Sequence, residues 1–129
     1  MKKLILVIMM LAIAFPAYAA RGLQGTGDAA NGSADQTLIA AQGAGTAIRL
    51  QKGFCSVNVA ASGGGGEMAL EDGVGGTRIL TVDADALGAY AFDFSPSGYA
   101  LTANTLLNLT VDGAVTTQAT ADCTVVATV

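Results

Sequence analysis

Short runs of apolar residues alternate with glycine- and aspartate-rich turns from Gln36 to the end of the 129-residue chain. Within the runs, apolar and polar residues often alternate singly, as in a strand with one buried face and one wet face. The predicted strands are seven, at 37–41, 46–60, 67–71, 78–84, 89–94, 105–111 and 115–129. The pattern therefore predicts an all-β fold, a single small antiparallel β-sandwich of the jelly-roll or immunoglobulin-like kind.

Two of these strands indicate how the buried faces run. In the last strand the odd positions are mainly apolar and the even positions mainly polar, which predicts one buried face. In strand 46–60 the apolar phase changes from even positions, such as Leu50, to odd positions, such as Val57. One inserted residue must absorb this change, and Gly53 is the predicted β-bulge.

The N-terminus has the three parts of a secretory signal peptide: a basic start, an apolar run and a small-residue cleavage site. These parts are Lys2 and Lys3, the run 4–15 ended by Pro16, and Ala17 with Ala19. Cleavage is predicted between Ala19 and Ala20. A membrane anchor is the alternative, but such a run covers only about 18 Å as a helix, whereas a bilayer core is about 30 Å thick.

The predicted organisation has a signal peptide at 1–19, a flexible glycine-rich leader at 20–35 and a β-sandwich domain at 36–129. The leader holds four glycines and one large apolar residue, Leu23, so we expect poor order there. The mature chain of about 110 residues has the size of one domain.

The charge balance excludes some partners. Removing Lys2 and Lys3 with the signal leaves four basic residues against ten acidic ones, a net charge of −6. Such a surface has no basic patch for nucleic acid and no cluster for anionic lipid. We therefore expect no nucleic-acid partner and no membrane insertion after signal cleavage.

Cys55 and Cys123 are the only cysteines, 68 residues apart. In an exported protein such a pair is more often a disulfide than two free thiols. Closing a loop of this length stabilises the fold by about 4 kcal/mol on the chain-entropy model. The alternative is two buried thiols that never meet. Both cysteines fall on predicted buried faces, which favours strands that are neighbours in a sheet or across the sandwich.

Candidate catalytic groups are few. The chain has no histidine, which excludes Ser-His-Asp and Cys-His sites and imidazole metal ligands. Paired carboxylates can hydrolyse a glycosidic bond, and the candidates are Glu67 with Glu71 and Asp83 with Asp85. Solvated strand faces or turns explain both pairs more simply. No catalytic residue and no cofactor is predicted.

Two kinds of binding site are considered. Calcium needs six to eight oxygen ligands, and Asp83, Asp85 and Asp93 are weak candidates for part of such a set. Interaction surfaces are often formed by loop tips. The loop-tip candidates are Gly63, Gly64, Gly65, Gly66, Asp72, Gly73, Gly75 and Gly76.

Several turn and strand motifs resemble those of a known group. They are Gly43-Ala44-Gly45 followed by Ile48-Arg49-Leu50, the turn Glu71-Asp72-Gly73, the stretch from Phe92 to Tyr99, and Leu107-Asn108-Leu109. The chain is similar in these to a diffuse group of short, mostly uncharacterised β-sandwich proteins associated with phages and prophages. The resemblance implies a small sandwich that self-associates as a virion accessory or surface-binding protein, and it brings no catalytic residue. The signal peptide and the cysteine pair depart from the group and favour the cell envelope or exterior.

Three functions are considered on this basis. The first is an exported, secreted or periplasmic, non-catalytic structural or binding module of the envelope or exterior, with a protein or surface partner or a second copy of itself. The second is a phage-derived virion accessory or decoration protein. The third is a small hydrolase that uses carboxylates. A pilin-like version of the first needs a donor strand, and residues 20–35 are too glycine-rich to be a convincing one.

Overall fold

A computed structural model describes residues 21–30, 35–61, 65–112 and 119–129. These residues form strands and connecting turns without any helix. The described part of the chain therefore has no helix that could span a membrane. The strands in the described part are β1 (Gly22–Ala30), β2 (Gln36–Ile39), β3 (Arg49–Val59), β4 (Glu67–Asp72), β5 (Thr77–Asp83), β6 (Gly88–Asp93), β7 (Tyr99–Ala100), β8 (Leu107–Asp112) and β9 (Thr120–Thr128). The predicted signal peptide, with Ala17, Ala19 and Ala20 at its cleavage site, lies outside these residues, as do positions 115–118 of the predicted last strand.

Two antiparallel sheets form the sandwich, which confirms the predicted fold class. The five-stranded sheet has the order β1-β9-β3-β6, and β7 also pairs with β3. The four-stranded sheet has the order β2-β8-β4-β5. Seven strands were predicted; the described residues form nine, and the two additional ones are β1 and β7.

The core lies between the sheets and follows the predicted alternation. In β9, Ala121, Cys123, Val125 and Ala127 are buried, and the residues between them are exposed. The apolar side chains of β8 are buried in the same cluster. One apolar face from each sheet therefore supplies the core, as expected for a sandwich.

The disulfide lies within the five-stranded sheet. Cys55 on β3 and Cys123 on β9 are directly opposite in the ladder and are bonded to each other. Both are buried. The predicted bridge is therefore formed, and it joins neighbouring strands of one sheet, the first of the two arrangements considered. Disulfides of this kind are typical of oxidising compartments.

The phase change in β3 is real, but the predicted position of the bulge is wrong. Leu50 is opposite Ala127 and Lys52 is opposite Val126, so the inserted residue is Gln51. Gly53 lies in regular pairing with Phe92 on β6. A Cβ at Gly53 would lie 2.4 Å from Cζ of Phe92, so the glycine makes room for that ring instead of forming the bulge.

The prediction of a flexible leader is also wrong for residues 22–30, which form β1. This strand pairs with β9 along its whole length, from Gly22 opposite Thr128 to Ala30 opposite Thr120. A Cβ at Gly25 would lie 2.3 Å from the carbonyl oxygen of Leu38 on β2. The glycine therefore permits a close approach of the two sheets, which composition alone cannot distinguish from disorder. Residues 20 and 31–34 of the predicted leader lie outside the described residues.

The close approach at Gly25 can be tested by adding one methyl group. We expect Gly25→Ala to lower the free energy of unfolding by about 1–3 kcal/mol, because the added carbon overlaps backbone atoms of β2. Gly22→Ala is the matched control in the same strand, since a Cβ there meets nothing within 4 Å. Urea denaturation followed by circular dichroism measures both. Equal stability of the two variants would show that β1 does not pack on β2.

The disulfide between β3 and β9 is the basis of a second prediction. Reduction, or the double change Cys55→Ala with Cys123→Ala, should lower the free energy of unfolding by about 2–4 kcal/mol, because the open chain gains conformational freedom in the unfolded state. Urea titrations with and without reductant measure the difference. The double variant should not respond to reductant, and coincident midpoints for the oxidised and reduced native protein would contradict the prediction.

Candidate functional site

The three weak calcium candidates are not brought together. Asp83 ends β5 and Asp85 lies in the connection after it, whereas Asp93 ends β6, about 17 Å from the start of that strand. The described residues contain no group of three or more His, Cys, Asp or Glu side chains able to hold a metal ion. The length of β6 therefore separates the ligands that the sequence had placed in one set.

Each of these aspartates instead organises a turn. Asp85 accepts hydrogen bonds from the N–H groups of Gly65 and Gly66, both at 2.8 Å. Asp83 accepts one from the N–H of Asp85 at 2.8 Å. Asp93 accepts from the hydroxyl and the N–H of Ser95, and these two bonds, in that order, lower the pKa of Asp93.

Glu67 and Glu71 form ion pairs with one arginine. Arg78 on β5 contacts both glutamates of β4 and also Asp112 on β8. The hydrogen bond to Glu67 is the main cause that raises the pKa of Arg78. Glu71 is buried and also accepts the N–H of Gly75 at 3.1 Å. These carboxylates join three strands of the four-stranded sheet, an arrangement unlike an open acid–base pair.

The two predicted interaction loops lie at opposite ends of β4, so they do not form one surface. Gly65 and Gly66 precede this strand and Gly73 to Gly76 follow it, while Gly63 and Gly64 lie outside the described residues. Backbone hydrogen bonds hold the second loop in place. The N–H of Gly73 donates to Leu106 at 2.9 Å, and the N–H of Gly76 donates to Gly73 at 3.1 Å.

Asp72, predicted as part of the second loop, is the last residue of β4 and connects this strand to the segment before β8. Its carboxylate accepts hydrogen bonds from the N–H and hydroxyl of Thr102, at 2.8 and 2.7 Å, and from the hydroxyl of Thr105. Burial acts to raise the pKa of Asp72, but the bonds from Thr105 and Thr102 together lower it. The carboxylate of Asp72 is therefore hydrogen-bonded within the fold, and it links the end of β4 to Thr102 and Thr105.

A depression on the outer face of the five-stranded sheet is the candidate site that the sequence did not indicate. Phe54 is one of its lining residues and has 51% of its surface exposed. The volume is about 500 Å³, within the range of about 300–1,000 Å³ typical of ligand sites. We call this hollow the Phe54 depression. The residues that line it are Lys52, Gly53, Phe54, Ala91, Phe92, Asp93, Thr124 and Val126.

Strand register explains why an aromatic ring is exposed here. Cys55 points into the core, so Phe54 must point to the opposite face. Its partners in the ladders are Thr124 on β9 and Ala91 on β6. Both side chains are too small to cover a phenyl ring. The ring of Phe54 therefore has only small side chains beside it on the neighbouring strands. The adjacent disulfide fixes the strand register that places the ring there.

One cation and one carboxylate flank the ring. Lys52 and Asp93 are opposite each other in the β3–β6 ladder, and Lys52 contributes, after Ser95, to the lowered pKa of Asp93. Farther along the same face, Asp28 and Asp122 are opposite each other on β1 and β9. Asn58 donates a hydrogen bond to Asp122. In the described part of the chain, this face carries the exposed side chains of Phe54 and Val126 among charged and polar neighbours.

The sequence contains a signal for this site. Phe54 is a large aromatic residue in a strand whose buried positions after the bulge are the odd ones. A phenyl ring on the wet face is more informative than an exposed small apolar residue. The neighbours that make the depression, Ala91 and Thr124, become adjacent only through the ladders, so no spacing along the chain could predict them.

Comparisons with known proteins find no match: no family model, no characterised protein and no solved structure is similar to this chain. The functional argument therefore depends on the sequence and structure of this chain.

The lowered pKa of Asp72 predicts a pH-dependent contribution to stability. A carboxylate whose pKa is lower in the folded state stabilises the fold above its ordinary pKa of about 3.9, and this contribution is lost as the pH falls through the lower folded value. We expect Asp72→Asn to be about 1 kcal/mol less stable than the native protein at pH 7, with the difference shrinking as the pH falls below the ordinary aspartate pKa of about 3.9.

Urea titrations at several pH values measure this effect, with Asp35→Asn as the control of equal charge change. Asp35 is exposed and lies just before β2. A stability difference for Asp72→Asn that is the same at pH 7 and pH 2.5 would show that its carboxylate charge is not what the two threonines stabilise.

Proposed function

We propose that this protein is an exported, non-catalytic binding module of the cell envelope or exterior, and that it binds through the Phe54 depression. The observation that carries the proposal is the half-exposed ring of Phe54 in a ligand-sized depression on a regular sheet. Binding sites commonly combine an aromatic surface with a few polar groups that orient the ligand. Lys52, Asp93 and Thr124 supply such groups here.

Two features support export. The first is the N-terminal pattern of basic, apolar and small residues, which is typical of a cleaved signal. The second is the disulfide between β3 and β9, because such bonds persist in oxidising compartments and are rare in the cytosol.

The use of the acidic residues supports a binding role over a hydrolytic one. A glycosidase places two carboxyl groups about 5–10 Å apart on either side of a substrate bond. Glu67 and Glu71 instead share Arg78, and Asp85 is hydrogen-bonded to the backbone of Gly65 and Gly66. These carboxylates already have partners within the fold.

A phage-derived virion accessory remains the second proposal. It is supported by the resemblance in the turn motifs, and the same outer sheet face would be the surface that contacts the particle. The two proposals differ in where the protein is found and in whether its N-terminus is removed.

The proposal predicts a defined mass and location for the native protein. The chain should begin at Ala20, be lighter than the reduced chain by about two hydrogens, and occur in the periplasm, envelope or medium. Intact mass spectrometry of each cell fraction, without reductant, measures this. A full-length, reduced chain found only in phage particles would contradict export and favour the second proposal.

Retention on envelopes tests the binding surface. The mature protein should sediment with washed envelopes, and Phe54→Ala should reduce the retained fraction. Val74→Ala is the matched control, since Val74 is 64% exposed but lies in the turn between β4 and β5. Equal retention of both variants would exclude the Phe54 depression as the binding surface.

A further inference from the structure

The shape of the Phe54 depression sets the size of what it can hold. It is an open hollow of about 500 Å³ on the surface of a sheet. Its neighbours across both ladders, Ala91 and Thr124, leave one side of the ring accessible along the strands. An open hollow of this volume suits one or two rings of a longer chain that continues over the sheet.

Phe54 offers a flat apolar surface with a negative π-face. Aromatic faces attract groups that carry partial positive charge, such as the C–H bonds on one side of a pyranose ring. A pyranose is flat, about the size of a phenyl ring, and apolar on that side, while its hydroxyl groups project from the edge. The exposed ring therefore matches a sugar in both dimensions and polarity.

The polar groups around the ring match hydroxyl groups, which both donate and accept hydrogen bonds. The Lys52 ammonium supplies donors, and the Thr124 hydroxyl can act as donor or acceptor. In the described part of the chain, both hydrogen bonds to Asp93 reach Oδ1, which leaves Oδ2 as an acceptor. A vicinal diol could therefore donate to Asp93 while it accepts from Lys52.

The charges on this face select against anionic ligands. Lys52 is opposed by Asp93 in the same depression. Asp28 and Asp122 add two exposed negative charges on the same outer face. Arg49 is also exposed, and its partner Thr128 is the next outward-facing residue of β9 after Val126, so the face carries two cations (Lys52, Arg49) against three carboxylates (Asp28, Asp93, Asp122). A phosphate, a uronate or a nucleic-acid strand would meet more repulsion than attraction here.

We propose, as a deepening of the proposed function on which it depends, that the ligand is a neutral glycan whose pyranose ring stacks on Phe54. Hydroxyl groups of the same sugar bind Lys52, Asp93 and Thr124. The adjoining sheet surface then receives the next sugar of the chain.

Affinity electrophoresis of the oxidised mature protein in gels containing soluble polysaccharides tests this inference. The probes are neutral glucans, mannans and galactans, with polygalacturonate as the anionic probe. We expect at least one neutral polysaccharide to retard the native protein and polygalacturonate not to do so. Phe54→Ala should weaken the association constant about tenfold, as loss of one aromatic contact implies.

Two variants serve as controls. Phe54→Tyr keeps the aromatic face and should bind like the native protein, while Val74→Ala should not alter retardation. Intact mass and thermal denaturation confirm that each variant is folded and oxidised.

The remaining outcomes overturn the inference in distinguishable ways. Retardation by polygalacturonate alone, by no polysaccharide, or equally in Phe54→Ala would each exclude a neutral glycan at this site. If envelope retention still requires Phe54 while no polysaccharide retards the protein, the ligand is a protein surface, and only the glycan inference fails. If envelope retention is also independent of Phe54, the proposed binding surface fails with it.

Discussion

The pairing of β3 with β9 determines most of what this molecule presents to its surroundings. These two strands are the central neighbours of the five-stranded sheet, and the Cys55–Cys123 bond joins them at a directly opposed pair. Because side chains alternate along a strand, a slip of one residue would exchange the buried and exposed faces. Phe54 is outside only because Cys55 is inside, so the bond that stabilises the fold also holds the aromatic surface in place.

The other features of the five-stranded sheet adapt to this pairing. The extra residue at Gln51 corrects the phase, so that Leu50 and Cys55 both reach the core from one strand. The missing side chain at Gly53 admits the ring of Phe92 from β6. On the far side of β9, Gly25 allows β1 to approach β2 closely. Each glycine here meets a packing requirement set by a neighbouring strand.

Charged residues around Arg78 and in two turns form contacts within the fold, whereas the ring of Phe54 is half exposed. Arg78 joins β4, β5 and β8 through carboxylates, and Asp72 and Asp85 hold turns. A ligand that bound the charges of the Arg78 cluster or of these turns would first have to break the existing contacts. Among the described residues, Phe54 is 51% exposed, so about half of its surface is open to solvent.

The sequence by itself determined the fold class, the alternating buried face of β9, the presence of a phase change in β3 and the cysteine pair. These depend on periodicity and composition, which a single strand displays in isolation. It could not distinguish the glycines of β1 from those of a flexible leader, because the close approach to Leu38 exists only after the sheets pack. The sequence could not show that Phe54, Ala91 and Thr124 are neighbours in the folded sheet. It also could not show that Asp83 and Asp93 are far apart. Those arrangements follow from the strand order and register, which bring together residues far apart in the chain and were decided only by the tertiary structure.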